Sequence, residues 1–137
     1  MEFEGEYLNG KRTGKIKEFY DDKLIFEGEY VNEERNGKGK EYNDGKIGFE
    51  GEYLNGKRNG KGKEYYKNGE LKFEGEYLDG KIWNGKGYNK KSKIIFEIKD
   101  GKGFIKEYDI NDILRFEGEY LNGERNGKGK NIILMVN

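Results

Sequence analysis

The sequence contains no cysteine, no histidine and no proline. Thiolates and imidazoles are the usual zinc ligands and the usual activators of a nucleophile, so we expect no metal site, no cofactor and no triad-type catalysis. Carboxylates are plentiful, but those in the recurring word FEGEY are expected to face lysines, which keeps them ionised rather than poised as general acids. We therefore expect that the chain is not an enzyme.

Apolar residues are also scarce. Only 32% of the residues are hydrophobic, against roughly 45–50% in an ordinary globular domain, so a thick two-layer core is excluded. No apolar run approaches the ~20 residues of a membrane span. The start MEFEGEY has neither the basic nor the apolar region of a signal peptide. We expect a cytoplasmic protein, either free or attached peripherally to a membrane or to the cytoskeleton.

The chain has no net charge, because 27 Lys and Arg balance 27 Asp and Glu. A general nucleic-acid binder carries a net basic surface, so nucleic acid is not an expected partner. Low hydrophobicity could indicate disorder, but an aromatic content of 15% argues for an ordered chain.

A phenylalanine recurs every 20–24 residues, which indicates a repeat array. We treat residues 1–137 as one array whose units start near residues 3, 26, 49, 73, 96 and 116. Within one unit, FEGEY alternates, so Phe49 and Tyr53 share one face with Gly51. A loop of about six residues, LNGKRN, leads to GKGKEYY, and a tight turn at Lys67–Gly69 closes the unit. The fold class is therefore all-β: an elongated single-layer antiparallel meander of about six hairpin repeats, with about twelve short strands.

Alternation explains both the charges and the glycines. Glu-x-Glu on one strand faces Lys-x-Lys on the next, and such cross-strand pairs set the register. Gly51, Gly60 and Gly62 share the aromatic face, where bare backbone lets large rings from neighbouring strands lie across it.

The repeated word resembles the MORN repeat. The resemblance rests on Phe26-Glu-Gly28-Glu-Tyr30 with Gly37-Lys-Gly39, on the same pattern from Phe49 to Gly62, and on Tyr65-Tyr66-Lys67-Asn68-Gly69-Glu70-Leu71, which is similar to the bacterial variant of the repeat. It extends from Phe3 to about Lys130. It implies an elongated single-layer sheet used for scaffolding, dimerisation and protein binding, with phospholipid binding in some members.

Two units depart from the pattern. Gly80–Gly85 has one residue more than Gly56–Gly60, which predicts an insertion that places Ile82 and Trp83 at a loop tip. Trp83 there is either a partner anchor or a side chain folded back over the sheet edge. The unit at 96–115 is degenerate, with a tight Asp100-Gly101 turn and Ile98 at a glycine position; a kink or docking point is the alternative to simple decay. Residues 131–137 are expected to form a C-terminal cap, or the start of a segment that pairs with another copy.

The aromatic face predicts the partner-binding surface. A single-layer sheet leaves its rings to be covered in one of three ways: by tight packing on each other and on glycine, by a second copy of the chain, or by a partner segment. The expected protein contacts, in a groove of rings and glycines with the loop at its edge, are Phe26, Tyr30, Phe49, Tyr53, Phe73, Tyr77, Ile82 and Trp83.

A row of basic residues suggests an alternative function. The loops carry an arginine in most units, and these tips would recur about every 10 Å along one edge. Such a row could contact anionic phospholipids, or it could simply be a solvated edge that prevents aggregation. The residues concerned are Arg12, Arg35, Lys57, Arg58 and Arg125.

Overall fold

The computed structural model describes residues 1–109, 111–126 and, for the backbone, 130 and 131, and within these ranges the regular structure is entirely β. None of these residues belongs to a helix that is long and apolar enough to cross a membrane. The strands are β1 (Glu2–Leu8), β2 (Lys11–Tyr20), β3 (Lys23–Val31), β4 (Glu34–Asn43), β5 (Lys46–Leu54), β6 (Lys57–Tyr65), β7 (Leu71–Leu78), β8 (Lys81–Tyr88), β9 (Ile94–Ile98), β10 (Gly103–Tyr108), β11 (Leu114–Leu121), β12 (Glu124–Arg125) and β13 (Lys130–Asn131).

The strands follow one another in space as they do in sequence. Strands β1 to β9 form one antiparallel sheet in chain order, and β10, β11 and β12 continue in a second sheet, where β13 also pairs with β11. The change of sheet falls in the degenerate unit, where Lys99 and Lys102 form only an isolated bridge. The predicted all-β antiparallel meander is confirmed.

The predicted six-residue loops are wrong. Asn55 and Gly56 alone form the turn, with φ of 50° and 84°, and Leu54 already pairs with Lys57. Asn-Gly favours this two-residue turn because its twist matches that of the flanking strands. Arg58 pairs with Tyr53, and Asn59, Gly60 and Lys61 form a bulge between this pair and the pair Gly51–Gly62. The sequence between GK and GKGK therefore continues the strand.

The two predicted tight turns form at opposite ends of the strands. The Gly69 amide donates to the Tyr66 carbonyl at 2.9 Å, and Gly69 has φ of 88°, which closes the turn at Lys67–Gly69. Asp100 and Gly101 form the predicted tight turn with φ of 50° and 78°.

The charge register agrees with the sequence pattern. Lys40 lies opposite both Glu27 and Glu50, and Lys63 lies opposite Glu50 and Glu74. Lys63 and Glu74 approach to 3.3 Å. We call this side of the sheet the ladder face.

The opposite side, which we call the ring face, contains the core. Phe26 and Phe49 are fully buried, and each points its ring at the tyrosine of the next unit, with centroid distances of 5.4 Å to Tyr53 and 5.2 Å to Tyr77. Both pairs are edge-to-face, the arrangement that aromatic quadrupoles favour. Rings lie over Gly51 and Gly62, as the sequence predicts, whereas Gly60, which was predicted on the same face, lies against the Glu52 side chain.

Isoleucines replace the glycine-and-ring packing towards the C-terminus. Ile98 pairs with Gly85 in the place of a repeat glycine and is buried, as is Ile105 on the next strand. Both belong to the same continuous core as the rings. Of the predicted cap, Asn131 lies in β13, whereas 132–137 lie outside the described residues.

Candidate interaction surfaces

A carboxylate on the ring face joins each unit to the next. Glu18 accepts a hydrogen bond from the Tyr30 hydroxyl at 2.5 Å and two from Arg35, from Nε at 2.8 Å and from Nη2 at 3.0 Å. The Glu18 side chain is only 5% exposed. Arg35 also lies over the Phe26 ring, with its guanidinium carbon 4.0 Å from the centroid. Arg35 therefore bonds to a carboxylate of the preceding unit and stacks on a ring of its own unit.

The same arrangement recurs along the array. Glu41 accepts from Tyr53 and, at 3.0 and 3.1 Å, from Arg58, which lies 4.0 Å above the Phe49 ring. Near the C-terminus, Glu107 accepts from Tyr120 and Arg125, and Arg125 lies over Phe116. The Phe, Tyr, Arg and Glu of the repeat are thus parts of one inter-unit joint.

Burial and these contacts shift the ionisation of the joint residues. Burial first, and then the hydrogen bond and charge of Glu18, raise the pKa of Tyr30 to about 12. The same causes, with Glu41 and Glu64 as partners, raise the pKa of Tyr53 and Tyr77 further. Burial alone would raise the pKa of Glu41, but the hydrogen bonds and charge of Arg58, together with the Tyr53 hydroxyl, hold it below its usual range.

We expect the fold to weaken at alkaline pH. The pKa of Tyr30 is about 12 when folded and about 10 in an unfolded chain, so its contribution is complete below pH ~10 and is lost as the pH rises to ~12. The check is the urea midpoint across this range for the natural chain and for Tyr30→Phe, since phenylalanine cannot ionise. The difference in unfolding free energy between the two chains should change across the window. If this difference in unfolding free energy stayed constant, the raised pKa of Tyr30 would be contradicted.

Burial also corrects the predicted partner surface. All six rings of Phe26, Tyr30, Phe49, Tyr53, Phe73 and Tyr77 are at most 6% exposed. Of the three ways to cover them, the structure shows the first: rings pack on each other, on glycine and under arginine. The six rings therefore form the core of the sheet rather than an exposed groove, and their role in partner binding stays a prediction.

Contacts within the chain also change the interpretation of the predicted basic row. Arg12, Arg35, Arg58 and Arg125 lie at strand starts rather than at turn tips, and each stacks on a phenylalanine of the ring face. Each also pairs with a glutamate of this chain. Of this row, Lys57 and Arg125 remain exposed, with 61% and 47% of their side chains accessible, and Lys57 pairs with Asp79 at 3.4 Å.

The predicted insertion at Ile82 and Trp83 is a deletion. Gly85 pairs with Gly75 as Gly62 pairs with Gly51, so the segment is one residue shorter than Gly56–Gly62. Ile82 takes the register position of Arg58 and packs against the core.

Trp83 is therefore a strand residue of β8 rather than a loop tip. Its ring lies against the next turn, where a Cβ on Gly101 would come within 2.7 Å of Cζ3, and its carbonyl accepts from the Gly101 amide at 2.9 Å. Trp83 folds back over the sheet, the second of the two readings that the sequence allowed.

The joint between units was not predicted, although the sequence contains one signal for it. Alternation from Gly60 and Gly62 puts Glu64 on the ring face, unlike the outward glutamates of FEGEY, and Glu64 accepts from the Tyr77 hydroxyl at 2.5 Å. A glutamate follows GKGK in two further places if GKIK is included, at Glu18 and Glu41.

The ladder face carries a groove. It has a volume of about 1090 Å³ and is bordered by residues from β1 to β7, with glycine backbone as its floor and lysines and glutamates as its sides. Glu29, Lys38, Glu52 and Lys61 are among them.

One exposed aliphatic residue lies beside this groove. Val31 lines a smaller cavity beside it, together with Glu29 and Lys15, which also line the groove. Val31 follows the buried tyrosine of its unit, so alternation places it on the ladder face. The equivalent side chains, all between 45% and 62% exposed, are Leu8, Leu54 and Leu78.

The fold and these joints define an antiparallel β-repeat array whose units dock through recurring positions of one face and leave the other face open. The MORN-repeat family model matches residues 3–15, 26–47, 49–70 and 116–130, more than half of the chain. The chain belongs to the MORN-repeat family. No curated protein matches it. MORN repeats are in general modules of protein and membrane interaction. Residues 71–115 lie outside the matched stretches and include Ile82 in the arginine position.

Proposed function

We propose that the chain is a non-catalytic scaffold that binds a segment of another protein along its ladder face. The observation that supports this is the groove of about 1090 Å³ over seven strands. The ring face is occupied by the chain's own side chains, so the ladder face is the large surface that is left for a partner.

The chemistry of the groove defines the kind of segment it suits. Each strand carries one sign of charge, and strands alternate in sign about every 4.8 Å, as Glu27, Lys40 and Glu50 do. A segment with charges of both signs matches this surface better than a uniformly acidic or basic one. The row of Val31, Leu54 and Leu78 adds apolar contact along one side.

The proposal is tested by selecting peptides that bind the chain from a displayed proteome library and measuring their affinity for two variants. Lys61→Glu reverses a charge within the groove. Lys91→Glu makes the same change at an exposed turn outside it. We expect Lys61→Glu to weaken binding about tenfold, and Lys91→Glu to leave it unchanged. Equal binding by both variants would contradict the ladder face as the site.

Anionic vesicles separate this function from the membrane alternative. The arginines are stacked and paired, and the exposed lysines alternate with glutamates, so we expect no binding to phosphatidylserine vesicles at physiological salt. Salt-sensitive binding that is lost when Lys57 is replaced would favour the membrane function instead.

A further inference from the structure

The outer edge of β1 is unpaired among the described residues, because the sheet order begins at β1. Its exposure differs from that of its counterparts in the inner units. Tyr7 is 59% exposed, whereas Tyr30, Tyr53 and Tyr77 are 4–6% exposed. An edge strand of this kind presents free backbone donors and acceptors to another strand.

Three inner joints show what an equivalent edge binds. At each one, a strand that contains Lys-x-Lys-Glu lies antiparallel to an FEGEY strand. In the joint between β4 and β5, the facing pairs are Gly37–Tyr53, Lys38–Glu52, Gly39–Gly51, Lys40–Glu50 and Glu41–Phe49. The joints between β2 and β3 and between β6 and β7 have the same register, with Ile16 in one glycine position.

Strands β1 and β2 contain all the residues that the FEGEY side contributes to an inner joint, and we call this set a half-joint. Phe3, Glu4, Gly5, Glu6 and Tyr7 repeat the word FEGEY, and Arg12 stacks 3.6 Å above the Phe3 centroid as Arg35 and Arg58 do over theirs.

One donor of this half-joint lacks its acceptor. Nε of Arg12 is buried and has no hydrogen-bond partner within the described residues. The same atom of Arg35 donates to Glu18, and that of Arg58 donates to Glu41. In the inner joints the acceptor is therefore the glutamate of the preceding strand, and none of the described residues supplies that glutamate to β1.

We propose that the free edge of β1 is a docking site for an extended strand of another polypeptide that reads Lys-x-Lys-Glu. The strand adds antiparallel to β1 by backbone pairing. Its two lysines face Glu6 and Glu4, a small residue lies over Gly5, and its glutamate accepts hydrogen bonds from Tyr7 and Arg12. This site lies at the outer edge of β1, where Glu4 and Gly5 also line the near end of the ladder-face groove, whereas Lys61 lies on β6, at the far end.

The chain itself is a poor source of this strand. Its last described strand, β13, places Asn131 opposite Phe116, where the inner joints place glutamate opposite phenylalanine. Two β1 edges paired with each other would bring glutamates against glutamates, which destabilises a strand pair. The carboxylate and the two lysines therefore point to a different polypeptide.

The first test uses a labelled peptide with the sequence of residues 36–43, NGKGKEYN, and fluorescence anisotropy with the full chain. We expect saturable binding that weakens about tenfold or more when the peptide glutamate is replaced by glutamine, because the charged hydrogen bonds are lost. Tyr7→Phe, which removes an exposed hydroxyl, should weaken binding several-fold without changing the fold. Absence of binding at millimolar peptide, or equal binding of the glutamine peptide, would overturn the proposal.

A charge swap tests the register. In the inner joint Lys40 faces Glu50, the equivalent of Glu4, so Glu4→Lys should weaken the natural peptide. A peptide with glutamate in place of its second lysine should bind Glu4→Lys better than it binds the natural chain. Lys61→Glu in the groove should leave peptide affinity unchanged, which separates this site from the proposed function. Loss of peptide binding in Lys61→Glu, or failure of the swapped peptide to discriminate, would overturn it.

Discussion

Glu18→Ala should destabilise the chain by about 3 kcal/mol or more, because removal of one partner leaves a desolvated charge unpaired. The side chain of Glu18 is 5% exposed, and it is the acceptor for both Tyr30 and Arg35. Its loss leaves the Arg35 guanidinium, which is 25% exposed, held against Phe26 without a counter-charge. The measurement is the free energy of unfolding in urea at neutral pH.

A matched control is Glu74→Ala on the ladder face. Glu74 pairs with Lys63 at 3.3 Å, and both side chains are about half exposed. Surface pairs of this kind contribute about 0–1 kcal/mol. If the two alanine variants lost equal stability, the inter-unit joint would contribute no more to stability than a surface ion pair does.

Gly62→Ala should destabilise the chain by about 2–3 kcal/mol through overpacking. A Cβ at this position would lie 2.6 Å from Cε1 of Phe49 and 3.0 Å from Cε1 of Tyr77. Phe49 is fully buried and Tyr77 nearly so, so neither ring can move away without disturbing the next unit. Gly62 does not have the left-handed backbone that favours glycine, so the effect is steric contact alone. The urea midpoint reports it.

Gly48→Ala separates this contact from the general cost of adding a methyl group to a strand. Gly48 lies in β5, also outside the left-handed region, and the atom nearest to its added Cβ is the flexible amide nitrogen of Asn43 at 2.8 Å. We expect a change within about 0.5 kcal/mol. An equal loss in both variants would mean that rings over glycine do not limit the packing.

Much of the fold followed from the sequence because side-chain alternation is a property of the extended backbone itself. FEGEY and GKGK fix which side chains share a face, so the charge register of Lys40 with Glu27 and Glu50 was predictable from the pattern of residues alone. The period of the phenylalanines gave the number of units. The packing of rings over Gly62 followed from the same alternation.

The turns were not predictable with the same certainty. A six-residue loop and a two-residue Asn55-Gly56 turn followed by a bulge occupy the same number of residues, so the repeat period fits both. The difference decides whether Arg58 is a loop residue or a strand residue opposite Tyr53. Because of the same ambiguity, the sequence predicted an insertion at Ile82 and Trp83, where the structure has a deletion.

The sequence by itself determined the all-β repeat, its register and its lack of cysteine and histidine. Only the tertiary structure decided which side chains are buried and which are exposed. Arg35 reaches Glu18 from 17 residues away, across a joint between two units. Such a contact depends on the bulge and on the twist between strands, which local alternation does not specify. These joints cover the rings and leave the ladder face and the edge of β1 open.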